Sequence, residues 1–165
     1  MKKIAVIIFG LLLAQGVRAQ TITFTVPEIP GDIEKTEYAK YTQPAVECIE
    51  WLKVHSPNDV QRKKVSDFAL WWLFGTPDVR IELNAAVANI ENRDLLILLL
   101  GGWAQYAIQS KDDSQLEGCY AGVNTALNYY VKYKKVLGKD KGAEKFLKMR
   151  EKGTLKSYLA KSMPE

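Results

Sequence analysis

Residues 92–110 read NRDLLILLLGGWAQYAIQS. Between Leu95 and Ile108 only Gln105 carries a strongly polar side chain. A helix that is apolar all round has no face for water and must be enclosed by protein or by lipid. The run is shorter than the roughly 20 apolar residues a bilayer crossing needs, and Gly101-Gly102 interrupts it. The stretch therefore predicts the buried central helix of an all-α, single-domain bundle. The glycine pair reads as a small-residue notch for a crossing helix.

The neighbouring helices follow from periodicity and end signals. Pro44 suits only a first turn, and Val46, Ile49 and Leu52 then repeat at helical spacing, predicting a helix over Thr42–Val54. Ser56-Pro57-Asn58-Asp59 reads as a cap, a first-turn proline and an acidic partner. It predicts a helix from there to Phe74, with Gly75 at the C′ position and Val65, Phe68, Ala69 and Trp72 as its buried stripe. Ser114-x-x-Glu117 predicts a full capping box. The helix after it buries Cys119, Val123, Ala126, Leu127 and Tyr130, and Gly118 and Gly122 allow close approach. Two short helices are expected over Lys141–Lys152 and Thr154–Ser162, parted by Gly153. Val79, Ile81 and Leu83 alternate with charged residues, as in a short extended segment before a weak helix to Ile90. The total is five to seven helices. An array of tetratricopeptide repeats is excluded, because Trp103-x-x-Tyr106-Ala107 has no counterpart at the required period.

At the N-terminus, Lys2 and Lys3 precede the apolar run Ile4–Ala14, and Val17-x-Ala19 offers a small-residue cleavage site. This is the pattern of a secretory signal peptide. The expected organisation is a signal peptide over 1–19, an extended arm over 20–36 and a helical-bundle domain over 37–165. No cysteine follows the apolar run, which excludes a lipoprotein anchor. The mature chain is expected in the periplasm or outside the cell, without a transmembrane anchor. Loss of Lys2, Lys3 and Arg18 lowers the net charge from +4 to about +1, so overall charge gives no reason to expect nucleic acid as a partner. The charge is unevenly spread. From Lys132 onward eleven Lys and Arg stand against four acidic residues, which reads first as a solvated helical face.

The titratable groups offer few catalytic or ligating combinations. Cys48 and Cys119 are the only cysteines. In an exported domain an even pair suggests a disulfide, with two buried thiols as the competing reading. His55 is the single histidine, and one histidine with two distant cysteines falls short of a zinc ligand set. No phosphate-cradling glycine motif is present, and no metal or other cofactor is expected. Glu47 and Glu50 lie three apart on one helix face, leaving open a carboxylate-based hydrolysis of cell-wall glycan. The aromatic residues give the positive lead. Trp71, Trp103, Tyr106, Tyr129 and Tyr133 are candidates to line a groove for a peptide or ligand, the alternative being that all are core.

Four segments, ECIEWL (47–52), WLFGTP (72–77), GGWAQYA (101–107) and KGTL (152–155), together resemble a set of small exported helical proteins of Gram-negative bacteria, an uncharacterised family with no assigned activity. The resemblance implies a single exported helical domain and no catalytic residue or cofactor. The expected function is that of a non-enzymatic periplasmic or secreted binding or scaffolding module, with an envelope protein or peptide as partner. A small envelope hydrolase and a carrier of an apolar ligand are the alternatives.

Overall fold

The computed structural model describes residues 24–83 and 87–163. The predicted signal peptide and the first residues of the predicted arm lie outside them. Among the described residues are six α-helices: α1 (Thr42–Val54), α2 (Arg62–Gly75), α3 (Arg93–Ser110), α4 (Gln115–Leu137), α5 (Lys141–Glu151) and α6 (Leu155–Ala160). Two 3-10 helices, Lys35–Tyr41 and Val87–Asn89, accompany them. No strand occurs among the described residues, so the fold is all-α.

The central helix is α3, as its composition requires. Leu95 and every residue from Ile97 to Gln105 are buried. Asn92 caps it, its side-chain oxygen accepting from the Asp94 and Leu95 N–H groups at 3.0 and 3.3 Å. Lys111, in the left-handed conformation at φ 52°, ends it. Helices α1, α2 and α4 all pack on α3, and the α3–α4 interface is the most extensive in the fold. That interface depends on glycine. A Cβ on Gly122 would enter the van der Waals shell of the Leu99 carbonyl oxygen and lie 3.2 Å from the Trp103 nitrogen. A Cβ on Gly102 would lie 2.5 Å from Thr125 Oγ1. The predicted notch is therefore real, and α4 is the helix that fits it.

Three local expectations change. Helix α2 begins at Arg62 rather than at Ser56–Pro57. The segment between makes tight turns instead: Ser56 Oγ accepts from Asn58 N–H (3.3 Å), and Asp59 Oδ1 accepts from Gln61 N–H (2.9 Å). Val60 is 96% exposed, so an earlier helix would have had no apolar face to bury. Gly75 is not a left-handed terminator, because the helix closes through Thr76, whose N–H donates to Trp72 O at 2.9 Å. Its missing side chain makes room for the Tyr38 ring. The capping box of α4 is only half formed. Ser114 Oγ accepts from Glu117 N–H at 3.4 Å, but Ser114 N–H donates to Asp112. The Glu117 carboxylate pairs with Lys156 on α6 at 2.5 Å.

The arm is tied down from Phe24 onward. Phe24 stacks on Trp51 with centroids 6.0 Å apart, and Val26 is buried. The helix Lys35–Tyr41 lacks an apolar stripe of its own and contains no buried residue. It packs by laying Tyr38 and Tyr41 against Trp71, with centroids at 4.8 and 5.2 Å. The segment Val79–Leu83 is extended but pairs with no strand. The Gln115 side chain takes that place, accepting from Glu82 N–H and donating to Arg80 O, each at 2.9 Å.

Asp140 joins the two halves of the fold. It is 4% exposed and caps α5 by accepting from Ala143 N–H at 2.8 Å. Its other oxygen accepts from the Glu91 and Asn92 N–H groups, at 3.0 and 2.8 Å, just before α3.

Candidate functional site, the outer face of α1

Helix α1 buries Ala45, Cys48, Ile49, Trp51 and Leu52. Its opposite face, Gln43, Val46, Glu47, Glu50 and Val54, follows the three- and four-residue spacing of one helix side. With Phe24, Trp51 and His55 these residues line an open cleft of about 630 Å³. Val54 is 57% exposed, an apolar side chain that no other element covers. The cleft floor is aromatic. His55 lies flat on Trp51, with centroids 3.7 Å apart and an interplanar angle of 7°. Its Nδ1 is 2.8 Å from Trp51 O. A carbonyl only accepts, so Nδ1 is the donor in this bond.

Two carboxylates edge the cleft. Glu47 accepts from Gln43 Nε2 at 3.0 Å. Glu50 Oε1 accepts from Lys53 Nζ and from Gln105 Nε2, both at 2.8 Å. Gln105 is the single polar residue of the central run, and the structure gives it a purpose. Its Oε1 accepts from Lys53 at 2.7 Å, so a buried amide of α3 holds the Glu50–Lys53 pair in register on α1. The partners lie 52 and 55 residues away in sequence, and no local spacing announces them.

The five aromatic candidates do not share one groove. Trp71 is half-buried under Tyr38 and Tyr41. Trp103 is 1% exposed, seated where Gly118 lacks a side chain. Tyr106 donates to Asp112 Oδ2 at 2.7 Å. That bond holds the Asp112 carboxyl below its usual range and raises the Tyr106 phenol. Only Tyr129 and Tyr133 come together, their rings 4.6 Å apart, and their task is to hold the end of α1. Tyr133 donates to Val54 O at 2.7 Å and Tyr129 to His55 O at 2.8 Å. Lys132 also reaches Val54 O, at 3.2 Å. Arg62 Nη1 donates to Leu52 O and His55 O at 3.2 and 3.3 Å, while its Nε pairs with Asp94 at 2.7 Å. The carbonyls that a helix C-terminus leaves unpaired are thus taken by side chains of α2 and α4, and the cations oppose the negative end of the helix dipole. Burial pushes the Tyr129 phenol upward.

The expected disulfide is not formed. Cys48 and Cys119 are both fully buried and are not bonded to each other. Both thiols belong to the buried core, Cys48 on α1 and Cys119 on α4. Burial, with a smaller contribution from Glu47, pushes the Cys48 thiol up to about 12. Among the described residues no three His, Cys, Asp or Glu side chains cluster as a metal site. No helix among them is long and apolar enough to cross a membrane. Comparison with protein-family models, curated proteins and solved structures returns no match for the chain.

Proposed function

We propose that this chain is an exported, non-enzymatic binding or scaffolding module and that the outer face of α1 receives its partner. The observation that supports this most is the cleft itself. An uncovered valine and a flat Trp51–His55 stack lie beside two carboxylates, on a helix whose C-terminal end is fixed by four side chains. Such a surface suits an apolar segment flanked by lysine or arginine, because the aromatic floor supplies contact area and the acids give orientation. Export is supported by the N-terminal pattern Lys2-Lys3, apolar run and Val17-x-Ala19, and by the resemblance to small exported proteins.

The test combines processing with site-directed photo-crosslinking. The exported chain is expected to begin at Gln20. A photoreactive residue at position 54 should give a discrete adduct, whereas the same residue at the still more exposed Phe74, on α2, should not. A mature N-terminus at Met1 would remove the export half of the proposal. Absence of any adduct, together with cell-wall glycan hydrolysis that disappears in Glu50→Gln, would replace the binding module with a hydrolase.

A further inference from the structure

A second surface, independent of the α1 cleft, lies at the C-terminal end of the fold. Lys141, Lys145, Lys148 and Lys152 recur at spacings of four, three and four. At about 100° per residue this confines them to roughly 60° of helix arc along about 16 Å of α5. All four are exposed, while Gly142, Ala143 and Phe146 bury the other side. The stripe continues around Lys139 onto the end of α4, where Lys132, Lys134 and Lys135 lie beside Val131 and Val136, 59% and 49% exposed. Little of this charge is neutralised. Glu144, the one carboxylate in the opening over α5, is committed to Lys134 and to the Tyr130 hydroxyl. Asp140 is turned inward to backbone N–H groups. Among the described residues Lys135, Lys141, Lys148 and Lys152 make no side-chain hydrogen bond or ion pair.

We infer that this lysine stripe docks the protein on an anionic lipid bilayer. The side-chain types decide among polyanions. Lysine is a hydrated point charge that suits a laterally mobile field of headgroups, whereas arginine supplies the planar fork for fixed, bidentate phosphate recognition. The single arginine of the region, Arg150, is spent on Asn128 at 2.9 Å. The rings beside these lysines, Tyr133 and Tyr158, are half-buried and engaged within the fold, Tyr133 donating to Val54 O and Tyr158 accepting from Lys145, so neither stands free to stack on a base. Val131 and Val136 instead offer exposed apolar contact at its margin, as interfacial helices do. The supporting backbone is rigid: a Cβ on Gly142 would collide with the Asn89 carbonyl, so α5 is seated directly against the Val87–Asn89 turn.

The test is vesicle sedimentation with the full chain, using pure phosphatidylcholine and phosphatidylcholine containing phosphatidylglycerol, with a 20-base-pair duplex DNA as the competing polyanion. Binding is expected on the anionic vesicles alone and should weaken as salt is raised. Each lysine near an anionic surface contributes roughly fivefold to partitioning. Lys141→Gln with Lys148→Gln should therefore weaken binding by about 25-fold with unchanged far-ultraviolet circular dichroism, and Lys64→Gln on α2 should have no effect. Equal binding to neutral vesicles, tighter binding to duplex DNA at the same salt, no effect of the double substitution, or no binding at all would each overturn the inference. None of these outcomes bears on crosslinking from position 54.

Discussion

Substituting Gly122 with alanine sets two effects of known size against each other. Alanine is the better helix former by about 1 kcal/mol, so a solvent-facing glycine in α4 would gain stability from the change. Gly122 instead faces α3. The added carbon would press on the Leu99 carbonyl oxygen and sit 3.2 Å from two further atoms of the α3 backbone. Backbone within a helix cannot rotate aside, so α3 and α4 must part by about 1 Å to restore a contact near 3.5 Å. Overpacking of this kind costs about 1–3 kcal/mol. It also loosens the contacts of Leu98, Leu99, Trp103, Val123 and Ala126, all 0–1% exposed. With the helix gain subtracted, the net expectation is a loss centred on about 1 kcal/mol, or a fall of roughly 2–4 °C in melting temperature for a chain of this size. Gly101→Ala is the internal control. Its new carbon meets only the Ile49 side chain, nearest atom 2.9 Å, which can change rotamer, so its effect should be within about 0.5–1 kcal/mol of zero. Thermal and urea melts at 222 nm measure both. A Gly122→Ala chain as stable as the parent, or more so, would refute the close α3–α4 approach and with it the enclosure of the central helix.

Asp140→Ala should lose a helix cap worth about 1 kcal/mol and strand two further N–H groups at about 1 kcal/mol each. A loss near 3 kcal/mol in urea melts is expected, and one below about 1 kcal/mol would mean that water replaces the carboxylate. Glu144 is held below the ordinary glutamate range by hydrogen bonds from Lys134 and the Tyr130 hydroxyl. A carboxyl whose pKa falls on folding stabilises fully above its unfolded value and loses that contribution as pH drops through the folded one. The melting-temperature gap between the parent and Glu144→Gln should therefore hold steady above about pH 5 and shrink as the pH falls below the ordinary glutamate value of about 4.3. A gap that does not change with pH would contradict this. Native protein at about pH 8 should resist thiol alkylation, because Cys48 is buried and its thiolate is disfavoured. Denatured, unreduced protein should yield two reactive thiols, and recovery of none would restore the disulfide.

Much of the fold was legible because α1, α3 and α4 announce themselves locally. Pro44 marks a first turn, the run from Leu95 to Ile108 leaves no face for water, and Ser114 caps α4. The enclosed helix followed from composition alone. What escaped reading depends on residues distant in sequence. Helix α2 starts at Arg62, whose guanidinium pairs with Asp94, 32 positions on. Gly75 serves Tyr38 rather than its own helix end, and Glu117 leaves its capping box for Lys156. The 3-10 helix Lys35–Tyr41 has no periodic signal, since its stability comes from two rings laid on Trp71. The same limit applies to the candidate site. Aromatic residues could be identified as a class, but nothing local told Tyr129 and Tyr133, which clamp a helix end, from Trp51 and His55, which floor a cleft. The lysine stripe was visible as charge, and its concentration on one side of α5 was implicit in the spacing.

The clamp at the end of α1 bears on how any encounter there would proceed. Helix termini ordinarily fray, and a partner that engages a frayed end must first immobilise it. With Tyr133, Lys132, Tyr129 and Arg62 already on the terminal carbonyls, that ordering is completed when the chain folds. A partner of the proposed α1 face would gain contact area without freezing new backbone. Its association rate would then be governed by diffusion and charge rather than by a rearrangement of this protein.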